Sequence, residues 1–459
     1  MKQRDWKKYC CINRQNGEEI RDMMRIRRAN CTLPSGADAF MYIGLLISIV
    51  YAFLPLVRVV PDVLKYIIRG IPLLCCMVAT LKRSSLNLWC RLLIIIIFSI
   101  FNALIRVYAN ANGIDADTDF LMFTVVAICY WLTLYEGEYV SKYYDSMFAG
   151  KIIRLILGLL TFSCLTTIIG NLIFPEITRA SASSSEAINY WYNIGSYGFC
   201  YAAGFLIPTV VILIRTKIIS RKCYVVVLLL FLVPIVCQFF TSIVISIIGL
   251  TMTMVNPKYY KRLIIIVVFF CFLCLCIPLS VWGSLLQIVA NVIASLGNEI
   301  LYERIDGLAQ LLSTGVTYGD AHARFALYEM SLTHFIKNPI LGLIGEKGFV
   351  RMHPTPYDLI WLGDGADVSV GRHSDFIDLI GGGGLVGFIP FALLLTNHFR
   401  KFAKIFRNSA TKTLLLILIM QYVVYGIVDH AFSNYEVAFS VFVVPVFAGL
   451  LIMKREECL

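Results

Sequence analysis

The sequence predicts an all-α polytopic membrane protein, with about twelve transmembrane helices and one large, partly helical loop outside the cytoplasm. Three observations carry this expectation. Of the 459 residues, 59% are hydrophobic and 15% are charged, a balance that suits lipid better than water. Apolar runs of about twenty residues recur along the chain, each long enough to cross the hydrocarbon core of a bilayer. Lys and Arg gather in the N-terminal arm, in alternate connectors with the basic residues just inside the adjoining spans, and in the tail, which together hold 29 of the 40, as the positive-inside rule expects of cytoplasmic segments.

Taken in order, the spans fall near 40–57, 63–81, 87–108, 120–135, 152–174, 194–214, 224–240, 241–256, 263–282, 375–396, 413–429 and 437–453. The stretch 224–256 reads as one long helix or as a hairpin broken near Gln238 to Ser242, and the charge pattern favours the hairpin. One helix there would invert everything downstream and put "HFRKFAKIFR" outside.

The organisation is a basic N-terminal arm (1–39), a bundle of nine spans (40–282), an extracytoplasmic loop (283–374), three further spans (375–453) and a tail (454–459). Both termini are expected in the cytoplasm. The cytoplasmic connectors include "EGEYVSKYYDSMFAGK" and "NHFRKFAKIFRNSATK", whereas "NANGIDADTD" and "DHAFSNYE" on the other side are acidic. The arm lacks the apolar core of a secretory signal, so the first span is expected to direct insertion.

The net charge of +11 reads as topology information rather than as nucleic-acid binding. The fifteen cysteines lie mostly in apolar runs or in the arm and form no disulfide framework. Cys271, Cys274 and Cys276 read as small core residues, since no histidine accompanies them as a metal ligand would. No internal repeat relates the two halves, which weakens a transporter built from duplicated bundles.

One outside connector, Val281 to Ser374, is about ninety residues long, and function is to be sought there. "WGSLLQIVANVIASLGNEILYERIDGLAQLLSTG" has helical apolar spacing, and a second helix begins near Asp320 with Phe325, Tyr328, Leu332 and Phe335 as its apolar stripe. Pro339 stops it, leaving the Gly-punctuated turn "ILGLIGEKGF". Such helices are expected to lie across the outer mouth of the bundle.

Candidate chemistry lies where the loop re-enters the membrane. His373 follows Arg372, Ser374 is placed to cap the next span, and Asp375 and Asp378 fall in its first turn, where a helix dipole favours anions. Gly381 to Gly384 and Gly387 cost helix propensity, so backbone or substrate must approach closely there. Close packing of small residues and access for a lipid substrate both satisfy that need.

Arginines outside the cytoplasm form the second set: Arg69 and Arg106 within or at the ends of spans, and Arg304, Arg324, Arg351 and Arg372 in the loop. A guanidinium fork matches phosphate or diphosphate oxygens. Snorkelling to headgroups, or pairing with Glu329, Asp320 or Asp375, is the competing explanation.

At two places the chain resembles the O-antigen polymerase and O-antigen ligase superfamily of bacterial polysaccharide enzymes: "ARFALYEMSLTHFIKNPILGLIGEKGF" and "HSDFIDLIGGGGLVGFIPFALLL". The first is similar to that family's Arg-containing helix and Pro–Gly turn, the second to its His-led re-entering helix. The specific likeness covers roughly 321–395, and the late large loop is similar too. The family's Ser-Arg pair before the loop is missing, because "QFFTSIVISIIG" carries Thr241 and Ser242 without arginine. An anion contact made there in relatives must come from elsewhere, and Arg69 and Arg106 are the candidates.

The resemblance implies a GT-C-like architecture in a bacterial inner membrane and a glycosyltransferase needing no metal or other cofactor. It implies undecaprenyl-diphosphate-linked glycan as substrate, with a chain-length regulator and a flippase as possible partners beside membrane lipids. His373 would deprotonate an acceptor hydroxyl, Asp375 would orient the imidazole, and Arg324 and Arg372 would hold the leaving diphosphate. Ser374, Arg351, Arg304, Arg69, Arg106, Gly381 and Gly384 are the further expected substrate contacts. "GDGAD" at Gly363 to Asp367 reads as a turn. A polymerase is favoured. A ligase transferring glycan to lipid A core or protein, a lipid-linked oligosaccharide flippase, and a passive scaffold are the alternatives.

Overall fold

The computed structural model describes residues 36–83, 89–90, 93, 132–174, 191–255, 278–295, 299–314, 319–342, 374–406, 408–429 and 434–457. Its regular elements are all helices, with no strand among the described residues. They are α1 (Gly36–Phe53), followed by a 3-10 turn at Pro55–Val59, then α2 (Asp62–Arg83), α3 (132–143), α4 (Ser146–Ile173) and α5 (Tyr197–Arg215). After them come α6 (Tyr224–Val236), α7 (Phe240–Met254), α8 (Leu279–Ser295), α9 (Glu299–Thr314) and α10 (Gly319–Lys337). The last four are α11 (Asp375–Ile405), α12 (Ser409–Val428), α13 (Tyr435–Phe442) and α14 (Val444–Glu457). Nearly all of the expected span at 87–108, and most of those at 120–135 and 263–282, lie outside the described residues, as do Cys271, Cys274, Cys276 and the Gly363–Asp367 turn.

Among the described residues, five helical stretches are long and apolar enough to cross a membrane: α4, α5, α11, α12 and the run Tyr435–Arg455 through α13 and α14. Side-chain caps start α4 and α12. Asp145 caps α4 by accepting from the Phe148 N–H at 2.8 Å, and Asn408 caps α12 by accepting from the Ala410 N–H at 2.6 Å.

At the centre stands α5, 94% of whose apolar window is buried, against 22% for α11 at the periphery. Its "YAAG" run lets α7 approach, and Ser242 Oγ donates to the Cys200 carbonyl at 2.6 Å. Gln421 on α12 reaches both neighbours, donating to the carbonyls of Gly204 (3.2 Å) and Ile245 (2.8 Å).

The stretch 224–256 is a hairpin. Gln238, with φ +58°, ends α6, and α7 runs back. The reversal follows from contacts: Arg215, the last residue of α5, donates to the Thr253 carbonyl near the end of α7, while Cys237 at the end of α6 meets Asn171 at the end of α4 (3.3 Å). Helix ends therefore partition as alternating spans require. One end of the bundle collects Arg58, Ser196, Asp375, Asp429 and Glu436; the other collects Asp38, Tyr144, Glu138 and Lys401.

Several boundaries differ from the sequence expectation. The connector expected at 136–151 shrinks to Tyr144 and Asp145, because α3 and α4 fill the rest. Its Glu136 is fully buried and accepts from the hydroxyls of Ser48 (2.6 Å) and Tyr435 (3.4 Å). Those bonds offset the desolvation that makes a carboxylate read as loop. The connector expected from Asn397 likewise begins only at Phe406, since α11 continues to Ile405 with His398 and Phe402 buried. Lys401 within that extension pairs with Glu138 at 3.1 Å. The last span is two helices, interrupted at Val443.

The loop helices also differ from the expected layout. α8 and α9 form a hairpin, with Gln287 donating to Asp306 at 2.5 Å, and α8 turns Leu285, Ile288, Val289 and Val292 outward. α10 does not lie across the mouth. It runs alongside the first third of α11, meeting in turn Val428 through Tyr328, Asp378 through Ser331, and Leu385 and Val386 through Pro339 and Ile340. Its packed face is Leu327, Ser331 and His334, while Leu332 of the expected stripe and Ile336 are exposed. Ser331 faces α11 because its hydroxyl finds the Asp378 carboxylate there.

Candidate functional site

The site begins with a cap. Ser374 Oγ accepts from the Ile377 N–H (3.2 Å) and donates to the Gly426 carbonyl (3.0 Å), so one buried hydroxyl starts α11 and ties it to α12. The Ser374 N–H donates to Asp378 (2.9 Å), whose other oxygen accepts from Ser331 Oγ on α10 (2.6 Å). Asp378, read from sequence as a dipole anion, is thus the anchor between α10 and α11. Asp375 is buried, and its N–H points to the Asp429 carbonyl at 3.4 Å.

The glycines answer the demand for close approach. Gly384 has φ +56° and ψ −155°, a conformation outside helix and strained for any side chain, and α11 is unwound there. The freed N–H groups of Leu385 and Val386 donate to the carbonyls of Pro339 (2.9 Å) and Ile340 (3.1 Å) in the turn after α10. Gly381 lies against the Ser331 backbone. At Gly381 and Gly384, neighbouring backbone occupies the space that a side chain would need.

Around this seam lie polar groups of other helices. Tyr201 on α5 donates to Asp429 (2.6 Å), Tyr328 on α10 donates to the Val428 carbonyl (2.9 Å), and Asn434 donates to the Tyr425 hydroxyl (3.0 Å). Asp429 is half-buried, so the group borders the surface.

Of the expected site residues, Ser374, Asp375, Gly381 and Gly384 come together at this seam. Arg324 lies on α10, one turn before Tyr328 and two before Ser331; the described part of it is its place in the helix. Arg69 on α2 and Arg304 on α9 are likewise placed as helix positions only. His373, Arg372, Arg351 and Arg106 lie outside the described residues. Among the described residues, no group of three or more His, Cys, Asp or Glu is placed to hold a metal ion.

Sequence reasoning missed a second polar group at the same end. Arg58, in the 3-10 turn after α1, pairs with Glu436 at the start of α13, donates to Ser196 Oγ at 3.4 Å and lies 5.2 Å from the Tyr51 ring centroid. Asn193 accepts from the Leu56 N–H at 2.9 Å. The available signal was a single cation between two prolines, "LPLVRVVP", and an acid opening the last apolar run, "YEVAF".

The fold and this arrangement define a class: an all-helical, membrane-embedded protein whose helices meet in a buried polar seam at one end. The chain matches no model of a known protein family and no curated protein sequence.

Proposed function

We propose that this chain is a polymerase of undecaprenyl-diphosphate-linked oligosaccharide repeat units, working at the outer face of a bacterial inner membrane. Twelve spans in a GT-C-like arrangement, with both termini cytoplasmic, belong to the proposal. One observation carries it. The helix bearing Arg324 is fastened through Ser331 and Asp378 to the start of α11, whose cap Ser374 directly follows His373. Such a seam supports the idea that the imidazole and the guanidinium act on one substrate.

In this reading His373 removes the proton of the acceptor hydroxyl, Asp375 orients it, and the hydroxyl attacks the anomeric carbon of the donor. Arg324 and Arg372 stabilise the departing lipid diphosphate, so that this charged leaving group would depart without Lewis-acid help. Arg351, Arg304, Arg69 and Arg106 are further proposed contacts for substrate anions. Transfer to lipid A core or to protein, as a ligase performs it, uses the same groups and differs only in the acceptor.

The test is H373A and R324A in the bacterium that makes the glycan. Expected are normal protein levels in the membrane, loss of long chains by a factor of about 100 or more, and single lipid-linked repeats accumulating on the outer leaflet. Repeats trapped on the cytoplasmic side would indicate a flippase instead. Unchanged chain length would remove the enzyme reading.

A further inference from the structure

A polymerase joins two lipid-linked chains, so the acceptor keeps its own diphosphate while the donor loses one. The donor diphosphate has Arg324 and Arg372 in the reading above, and the acceptor's needs another anion site. A site of that chemistry exists at the same end of the bundle, and a carboxylate fills it.

It is built from three elements. Ser196 begins α5 without a side-chain cap, so the first N–H groups of a 19-residue helix face their neighbours uncapped by it. Arg58 brings a guanidinium against Ser196 Oγ, braced over the Tyr51 ring. Gly198 leaves the first turn of α5 bare: a Cβ there would stand 2.6 Å from Glu436 Oε2 and 2.8 Å from its Cδ. The Glu436 carboxylate therefore sits over the positive end of a helix dipole, paired with Arg58. Helix N-terminus, hydroxyl and guanidinium fork are the means by which proteins hold phosphate.

The occupant can leave without unseating its helix. Tyr435, next to Glu436, is held separately by its hydroxyl bond to Glu136, and Arg58 keeps 15% of its side chain exposed while Glu436 keeps 3%. The distance to the proposed catalytic seam is short: one turn along α5 from Gly198, Tyr201 reaches Asp429, whose carbonyl meets the Asp375 N–H.

We infer that Arg58, Ser196 and the first turn of α5 bind the diphosphate of the acceptor's polyprenyl carrier, and that Glu436 is an internal plug which this diphosphate displaces. A diphosphate carries at least twice the charge of the carboxylate it replaces, so exchange favours the substrate. The inference rests on the polymerase reading, because a ligase acceptor brings no polyprenyl diphosphate.

The test is equilibrium binding of farnesyl diphosphate to the purified protein in lipid nanodiscs, with farnesol as the uncharged control. E436Q, which keeps the shape and removes the competing charge, should bind the diphosphate about tenfold or more tightly than wild type. R58Q/E436Q should lose that gain, and farnesol should not distinguish the proteins. R58K keeps the ion pair and loses the fork, so weaker binding than wild type is expected with a stable fold. Equal binding by E436Q and wild type, a gain that survives R58Q, or wild-type binding by R58K overturns the assignment. No turnover is involved, so the polymerase reading fails separately, on chain length in H373A, while the binding order of these variants can still hold.

Discussion

Gly384→Ala is the perturbation that interrogates the seam most directly, because its neighbour supplies the control. Gly384 holds φ +56° and ψ −155°, and a Cβ there would collide with the Ile340 carbonyl. Forcing an alanine into that conformation costs about 1–3 kcal/mol. If the turn withdraws to relieve the clash, the bonds from Leu385 to Pro339 and from Val386 to Ile340 open as well, at about 0.5–1.5 kcal/mol each. The local total is about 2–6 kcal/mol, whose lower bound alone is about a 30-fold shift toward the undocked state. Gly383 has nothing within 4 Å of where its Cβ would stand, so Gly383→Ala should be neutral or stabilise α11 by about 0.5–1 kcal/mol. Hydrogen exchange by mass spectrometry in nanodiscs reads this directly. In G384A, amides of 331–342 and of Leu385 and Val386 should exchange at least about 30-fold faster, while α5 and α12 keep their protection. If G383A and G384A exchange alike, or G384A stays at the wild-type rate, the account of the glycine run is wrong.

Ser331→Val removes one of the donors to buried Asp378 and should cost about 1–3 kcal/mol, seen as a lower Tm by scanning fluorimetry; Thr396→Val, at an exposed hydroxyl bonded within α11, should leave Tm in place. Lys401→Ala breaks a half-exposed pair with Glu138 and should lower stability by less than about 1 kcal/mol, so a collapse of Tm would mean that the pair carries more of that end of the bundle than its exposure implies. Reporter fusions at Arg351 and Asn408 should show opposite sides, and activity placing Asn408 outside would overturn the alternation of α6 and α7.

Much of the architecture was legible in residue order. The start of α11 at Ser374, the stop of α10 before Pro339 and the close approach at Gly381 and Gly384 follow from local pattern, and the hairpin at Gln238 from the alternation of basic connectors. Where pattern failed, a polar residue had found a distant partner. Glu136 reads as loop until Ser48 and Tyr435, 88 and 299 positions away, satisfy its carboxylate. Lys401 and His398 likewise read as connector although α11 runs through both. On α10 the same cause shows: Leu332 of the apolar stripe is exposed, whereas Ser331 faces α11 because its hydroxyl reaches Asp378.

The sequence by itself determined that the chain builds apolar helices which alternate in direction, and that close approach is called for along the glycine run, because hydropathy, capping and side-chain size are read from neighbouring residues. Only the tertiary structure decided that Asp378, besides standing in the first turn of α11, binds Ser331 of α10, and that Arg58 meets Glu436 over the first turn of α5. A buried polar group takes whichever partner the packed helices bring within about 3 Å, and that choice is made in space, across hundreds of residues of chain.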